Sequence, residues 1–106
     1  MEKELDLGKG LNGVKFNLGQ VLMTRGVDAM VNESKEFAKF VAKSFCRHCD
    51  GDWGDLCEED KELNDLGLKN GDDRLFSKYT DDNGESIYII TEWDRSATTI
   101  LFPDEY

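Results

Sequence analysis

The sequence is poor in histidine and cysteine, two residue types on which many catalytic and metal sites depend. It has one histidine and three cysteines in 106 residues, and also only one proline. No glycine-rich phosphate loop follows a predicted strand, and no serine-nucleophile motif is present. An odd number of cysteines is a poor disulfide framework, so we expect reduced thiols. These absences argue against an enzyme and against a bound cofactor.

Long apolar runs are also missing. No stretch approaches the ~20 apolar residues that are needed to cross a bilayer. The first residues, Met1-Glu2-Lys3-Glu4, lack the basic and then apolar order of a secretory signal. We therefore expect a cytoplasmic protein without membrane contact.

Basic residues are scarce in the second half. Residues 1–49 hold six acids and eight bases, a net charge of +2, whereas residues 50–106 hold seventeen acids and five bases, a net charge of −12. Ten carboxylates lie within residues 50–73, beside only Lys61 and Lys69. A negative field repels nucleic acid and attracts basic protein surfaces, including nucleic-acid-binding grooves. The plain alternative is that the acids only keep a small protein soluble.

Hydrophobic periodicity predicts one α+β domain over residues 14–106, with helices packed on a small antiparallel sheet. Residues 1–13 contain three glycines in their last six positions, which favours a flexible lead-in. Val14, Phe16 and Leu18 alternate, and Gly19 interrupts the pattern before Val21 and Met23, which predicts a strand with a bulge or two short strands. Residues 74–80, 86–93 and 97–102 predict a C-terminal three-stranded meander, with a hairpin turn at Asn83-Gly84.

Two helices are predicted before residue 50. Thr24 is a suitable N-cap for a short first helix, and Asn32 for a longer second one. The inner face of the second helix is predicted to be Phe37, Phe40, Val41, Ser44, Phe45 and His48. Trp53 is expected to hold down the loop that follows.

The third predicted helix carries the acidic surface. Asp55 and Glu58 resemble a capping box, Leu56, Leu63 and Leu66 supply a predicted buried stripe, and Asn70-Gly71 ends the helix. The predicted partner-binding residues are seven acids, with Trp53 as an anchor at their centre: Asp50, Asp52, Asp55, Glu58, Glu59, Glu62 and Asp65.

The sequence contains only incomplete versions of known metal-binding patterns. Cys46 and Cys49 form half of a zinc pattern, to which His48 and Cys57 would have to contribute the rest. Calcium loops that start at Asp50 or Asp81 lack the required glycine at position six. We therefore predict no metal site.

Two further kinds of site have candidate residues in the sequence. His48, Glu92, Asp94 and Arg95 would have to converge for a small hydrolytic or metal-binding site. The second half has aromatic residues for stacking on bases, but almost none of the lysines and arginines that track a nucleic-acid backbone. We therefore expect no direct nucleic-acid binding. Nothing in the sequence selects an oligomeric state.

Several segments form a recognisable pattern: Arg47-His48, Gly51-Asp52-Trp53-Gly54-Asp55-Leu56, Glu59-Asp60, Asn64, Arg74-Leu75, the stretch from Ile90 to Leu101, and Pro103-Asp104-Glu105-Tyr106. These segments resemble a family of small acidic proteins that are encoded on bacterial plasmids, conjugative elements and phages and are labelled only as plasmid-related. The resemblance covers most of the chain from Phe16 onward. The pair Cys46 and Cys49 is not part of it. It implies a mobile-element origin and no particular activity.

A mobile-element origin adds one explanation of the charge. Such a protein is expected to inhibit a host restriction or CRISPR enzyme by placing carboxylates where nucleic-acid phosphates would lie. A docking module for a replication or conjugation protein is the alternative. In that case the affinity for the partner should depend on Trp53 and only weakly on salt concentration.

Overall fold

The computed structural model describes residues 16–71 and 73–106, together with the backbone of Glu2–Glu4. Its elements are strands β1 (Glu2–Glu4) and β2 (Gln20–Thr24), helices α1 (Arg25–Glu33), α2 (Lys35–Cys49) and α3 (Glu58–Asn70), strands β3 (Leu75–Thr80), β4 (Ser86–Thr91) and β5 (Ala97–Leu101), and a short 3-10 helix (Pro103–Glu105). The α+β class is confirmed. Strands β3, β4 and β5 form the predicted antiparallel meander.

The sheet as a whole is mixed. Its strand order is β1-β2-β5-β4-β3, and β2 pairs in parallel with β5, from Gln20 opposite Ala97 to Met23 opposite Ile100. The expected antiparallel pairing therefore holds within the meander and between β1 and β2, but not between β2 and β5. The three helices carry the chain from β2 to the far edge of the sheet, so the meander returns to β2 with its last strand running in the same direction.

The predicted lead-in, residues 1–13, lies mostly outside the described residues. Within it, the backbone of Glu2–Glu4 pairs antiparallel with β2. Val14 of the predicted first strand is also outside, and residues 16–19 are not extended strand. Gly19 has a φ of +63°, and a Cβ there would lie 2.3 Å from the Ser96 carbonyl carbon. This backbone turn is the reason why the strand begins only at Gln20.

Helices α1 and α2 cover one face of the sheet. Thr24 caps α1 as predicted, because its hydroxyl accepts a hydrogen bond from the Val27 N–H at 3.5 Å. The predicted cap of α2 at Asn32 is wrong, since Asn32 lies within α1. The cap is Ser34, which has an extended backbone and accepts a hydrogen bond from the Phe37 N–H at 3.1 Å.

The inner face of α2 is confirmed. Five of its six predicted residues are buried and Phe40 is partly buried against the same core. The core consists of Leu18, Met23, Val27, Phe37, Val41, Phe45, Cys49, Tyr79, Ile87, Ile89 and Ile100.

The C-terminus is tied to the start of α1. The Glu105 carboxylate accepts hydrogen bonds from the Thr24 hydroxyl at 2.6 Å, the Gly26 N–H at 3.2 Å and the Phe102 N–H at 2.8 Å. A carboxylate at a helix N-terminus is stabilised by the helix dipole. The last residues therefore belong to the fold.

Candidate functional site

Helix α3 is attached to the sheet along the outer edge of β3. The Asn64 carboxamide donates to the Phe76 carbonyl oxygen at 2.6 Å and accepts from the Phe76 N–H at 3.1 Å. Just before α3, the Lys78 N–H donates to the Trp53 carbonyl oxygen at 3.3 Å, and the Asp55 N–H donates to the Lys78 carbonyl oxygen at 2.8 Å. Unpaired groups on an edge strand invite pairing with other chains. The loop and Asn64 therefore satisfy this edge and fix α3 beside it.

Gly54 makes the loop's approach to β3 possible. It forms a parallel bridge with Lys78 and has a φ of +78°. A Cβ at this position would lie 2.0 Å from the Lys78 carbonyl oxygen. Only glycine combines this backbone conformation with this contact.

Asp52 is neutralised by a base from the first half of the chain. Arg47 Nε and Nη2 donate to its two carboxylate oxygens at 2.7 and 3.2 Å. This hydrogen-bonded pair lowers the pKa of Asp52 below its ordinary value and raises the pKa of Arg47. The guanidinium also lies 4.9 Å above the centroid of the buried Tyr79 ring. Asp52 thus holds the loop in place and contributes little to an external negative field.

Trp53 is part of the core, so the prediction that it anchors a partner is wrong. The side chain is 3% exposed. Its ring lies 5.6 Å from the His48 ring and 6.3 Å from the Phe16 ring, and its indole N–H donates to Asp65 Oδ1 at 2.9 Å. The expectation that it pins the loop is confirmed. Asp65 is consequently the acceptor for a buried donor as well as a surface acid.

Five of the predicted acids are exposed: Asp50, Asp55, Glu58, Glu59 and Glu62. Glu58 and Glu62 are one helical turn apart and Glu59 adjoins them, so the three glutamates share the outer side of α3. Lys61 Nζ lies 3.8 Å from Glu58 Oε1, a distance at which an exposed pair is weak. The structure thus brings together a smaller acidic surface than the sequence predicted.

The predicted apolar stripe of α3 is wrong. Leu63 and Leu66 are 62% and 55% exposed, and Asn64 and Gly67 are the buried positions of the helix. The predicted capping box is also absent, because the N-cap is Cys57 and it makes no side-chain capping bond. The helix docks through a carboxamide and a glycine, so its leucines are left on the surface.

A cavity of about 370 Å³ lies between α3 and the second face of the sheet. Sequence reasoning missed it. It is lined by Leu56, Asp60, Leu63, Asn64, Asp73, Arg74, Phe76, Tyr88 and Tyr106. The signal that could have found it is the presence of large apolar side chains on both faces of β3 and β4, which indicates that the second face is also partly covered.

Three aromatic rings form one wall of this cavity. The Phe76 ring centroid lies 4.7 Å from that of Tyr88 and 6.1 Å from that of Tyr106, and Tyr88 and Tyr106 are 6.0 Å apart. The Arg74 guanidinium lies 5.8 Å from Phe76 and 5.7 Å from Tyr106, and it donates to the Tyr106 hydroxyl. Such contacts keep a cation on ring faces. The wall is therefore preformed and already holds one cation of this chain.

His48 belongs to a buried chain of polar groups. Its Nδ1 lies 2.5 Å from Ser77 Oγ and its Nε2 lies 2.9 Å from Thr91 Oγ1. Thr91 Oγ1 lies 2.8 Å from Thr98 Oγ1, and the Thr98 hydroxyl donates to the Leu18 carbonyl oxygen at 2.8 Å. Burial lowers the pKa of His48 to about 3, so the ring is neutral at ordinary pH. Its function here is structural.

The groups of the hydrolytic hypothesis are not brought together. His48 is completely buried, whereas Glu92 and Asp94 are exposed. Arg95 is directed to backbone carbonyl oxygens: its Nη1 donates to Asp73 at 2.5 Å and its Nη2 to Gly67 at 3.3 Å. This arrangement braces the β4–β5 turn against the end of α3 and does not form a catalytic pocket.

The cysteines do not assemble the half-pattern for zinc. Cys46 and Cys57 are exposed, Cys49 is buried, and all three are free. Burial raises the pKa of the Cys49 thiol to about 12. Among residues 16–71 and 73–106, no group of three His, Cys, Asp or Glu side chains is placed to hold a metal ion. Among the helices in this part of the chain, none has the length and apolarity to cross a membrane.

No protein-family model, curated protein or solved structure matches this chain. The comparisons therefore assign neither a family nor an activity. The site's own geometry is the basis for a functional proposal.

Proposed function

We propose that this chain is an acidic binding protein that occupies the basic nucleic-acid groove of a partner enzyme through the outer side of α3. The observation that carries the proposal is the rigid attachment of α3 to β3, which leaves Glu58, Glu59 and Glu62 facing solvent. An origin on a mobile element and inhibition of a host restriction or CRISPR enzyme are parts of the same proposal.

The physical basis is competition for fixed cations. A nucleic-acid groove places lysines and arginines where phosphates bind, and its affinity arises largely from release of counterions. Carboxylates on a rigid helix meet the same cations without a loss of backbone freedom on binding. Because the attraction is electrostatic, affinity should fall steeply as salt concentration rises. The docking-module alternative predicts a weak dependence on salt.

The direct experiment uses a purified DNA-cleaving defence enzyme and follows its binding to labelled DNA. Increasing amounts of the chain should displace the DNA. The variant Glu58→Lys/Glu59→Lys/Glu62→Lys should lose this effect. A matched control reverses three exposed acids elsewhere, Asp82→Lys/Glu85→Lys/Asp104→Lys, and so changes net charge equally.

The comparison between the two triple variants decides the outcome. Loss of inhibition in the α3 variant alone supports a contact surface. Equal inhibition by both variants and the wild type rejects the charge-mimic proposal, and the acids then serve solubility. Equal loss in both variants assigns the effect to net charge and also rejects a specific α3 surface.

A further inference from the structure

The cavity beside α3 differs chemically from the acidic side of the same helix. We propose that the partner inserts one uncharged apolar side chain into this cavity while flanking lysines or arginines contact the carboxylates of α3. This inference rests on the proposed function, because it describes the partner's contact segment. The occupant is a basic amphipathic segment of a protein.

The apolar half of the proposal follows from the exposed carbon surface. Leu63 and Tyr106 both line the cavity and are 62% and 65% exposed. Leu56, Phe76 and Tyr88 add further apolar lining. Exposed apolar surface that surrounds a preformed cavity is typical of a binding site. Burying a partner's side chain there would remove both surfaces from water.

The anchor is uncharged because the cavity already contains charges of both signs. The Arg74 guanidinium occupies the faces of Phe76 and Tyr106, so a second cation at these rings would be repelled. Asp60 and Asp73 also line the cavity and disfavour an anion. An aliphatic or aromatic side chain meets neither penalty.

The lysines or arginines on either side of the partner's apolar side chain are inferred from the order of residues on α3. Glu59 is one turn before Leu63, and Glu62 is its neighbour. A partner side chain that reaches Leu63 therefore brings its own neighbours to these carboxylates. An apolar centre with a charged rim is the usual anatomy of a protein interface.

The experiment uses the full chain and two synthetic peptides in calorimetric titrations at low salt. Both peptides are short and lysine-rich with the same charge, and they differ only in a central leucine or serine. The leucine peptide should bind about tenfold tighter or more, as expected for burial of one leucine side chain. Amide shifts in an NMR titration should include Leu63 and Tyr88.

Two variants locate the effect. Leu63→Ser should bring the ratio of the two affinities close to one. Trp93→Ser removes an equally exposed apolar side chain outside the cavity, 63% exposed, and should leave the ratio unchanged. The high exposure of both positions makes a folding defect a weak explanation for either result.

Three results would overturn the cavity proposal. Equal, salt-sensitive binding of both peptides to the wild type would remove the apolar anchor but leave the acidic surface of the proposed function intact. An unchanged affinity ratio in Leu63→Ser would place the contact elsewhere. Self-association of the wild type that disappears in Leu63→Ser would identify a second copy of this chain as the occupant. The DNA-displacement experiment tests the proposed function separately from the peptide titrations.

Discussion

Replacement of Asn64 by alanine should destabilise the fold by about 2–4 kcal/mol. The Asn64 side chain makes two hydrogen bonds, to the N–H and the carbonyl oxygen of Phe76, and the residue is 5% exposed. Alanine would leave both backbone groups of Phe76 without these partners beneath α3. The net loss of a hydrogen bond is about 1 kcal/mol, and an unsatisfied buried group costs roughly 1–3 kcal/mol. Urea denaturation followed by the fluorescence of the buried Trp53 measures the difference.

A neighbouring variant separates this effect from a change in the helix itself. Leu63→Ala lies one position earlier on α3 and removes an exposed side chain, so it should change stability by less than about 0.5 kcal/mol. If Asn64→Ala unfolds within about 0.5 kcal/mol of the wild type, the edge attachment of α3 is not the contact that stabilises this region. An increase in self-association of Asn64→Ala would further indicate that the β3 edge has opened.

Three other predictions test the groups that hold the site in place. Because the folded-state pKa of His48 is about 3 and the ordinary value is 6.5, the unfolded chain binds more protons between these pH values, and stability should fall by about 2 kcal/mol from pH 6.5 to pH 5. His48 is the sole histidine, so a proton NMR titration in which its imidazole signal shifts near pH 6.5 would refute the assignment. Gly54→Ala should cost more than about 2 kcal/mol in urea unfolding, whereas Gly71→Ala, with a similar positive φ but no atom within 4 Å of the added Cβ, should cost about 1 kcal/mol. Asp65→Asn should keep the acceptor for Trp53 and the wild-type stability, while Asp65→Ala should lose roughly 1–3 kcal/mol; equal stability of the two would show that the indole contact is unimportant.

The periodic elements could be predicted from the sequence because their contacts are local and apolar. The face of α2 from Phe37 to His48 follows the helical period, and the meander follows from alternation on either side of Asn83-Gly84. The predicted cap of α2, Asn32, lies two residues before the observed one, because both Asn32 and Ser34 have side chains that can cap a helix. The extended backbone at Ser34, which ends α1 and begins α2, decides between them.

The site was harder to predict because α3 breaks the rule that leucines face inward. A pattern analysis assigns Leu63 and Leu66 to the core, yet the helix approaches the edge of a strand, where a carboxamide can pair with the backbone. The prediction that Trp53 anchors a partner fails for a related reason. Its indole N–H is paired with Asp65, twelve residues later, and no local pattern connects the two. The parallel pairing of β2 with β5 is likewise a long-range property.

Some acids of this region stabilise the fold and others only face water, and this difference allows the functional proposal to be tested. Asp52 is paired with Arg47 and Asp65 accepts from Trp53, so changing either would alter the fold and the surface together. Glu59 and Glu62 face water on a helix that is held by its opposite side. Replacing these glutamates by lysine should therefore change stability little, and mutual repulsion among neighbouring carboxylates would even decrease. A loss of binding in such a folded variant would thus report on contact with the partner rather than on damage to the fold.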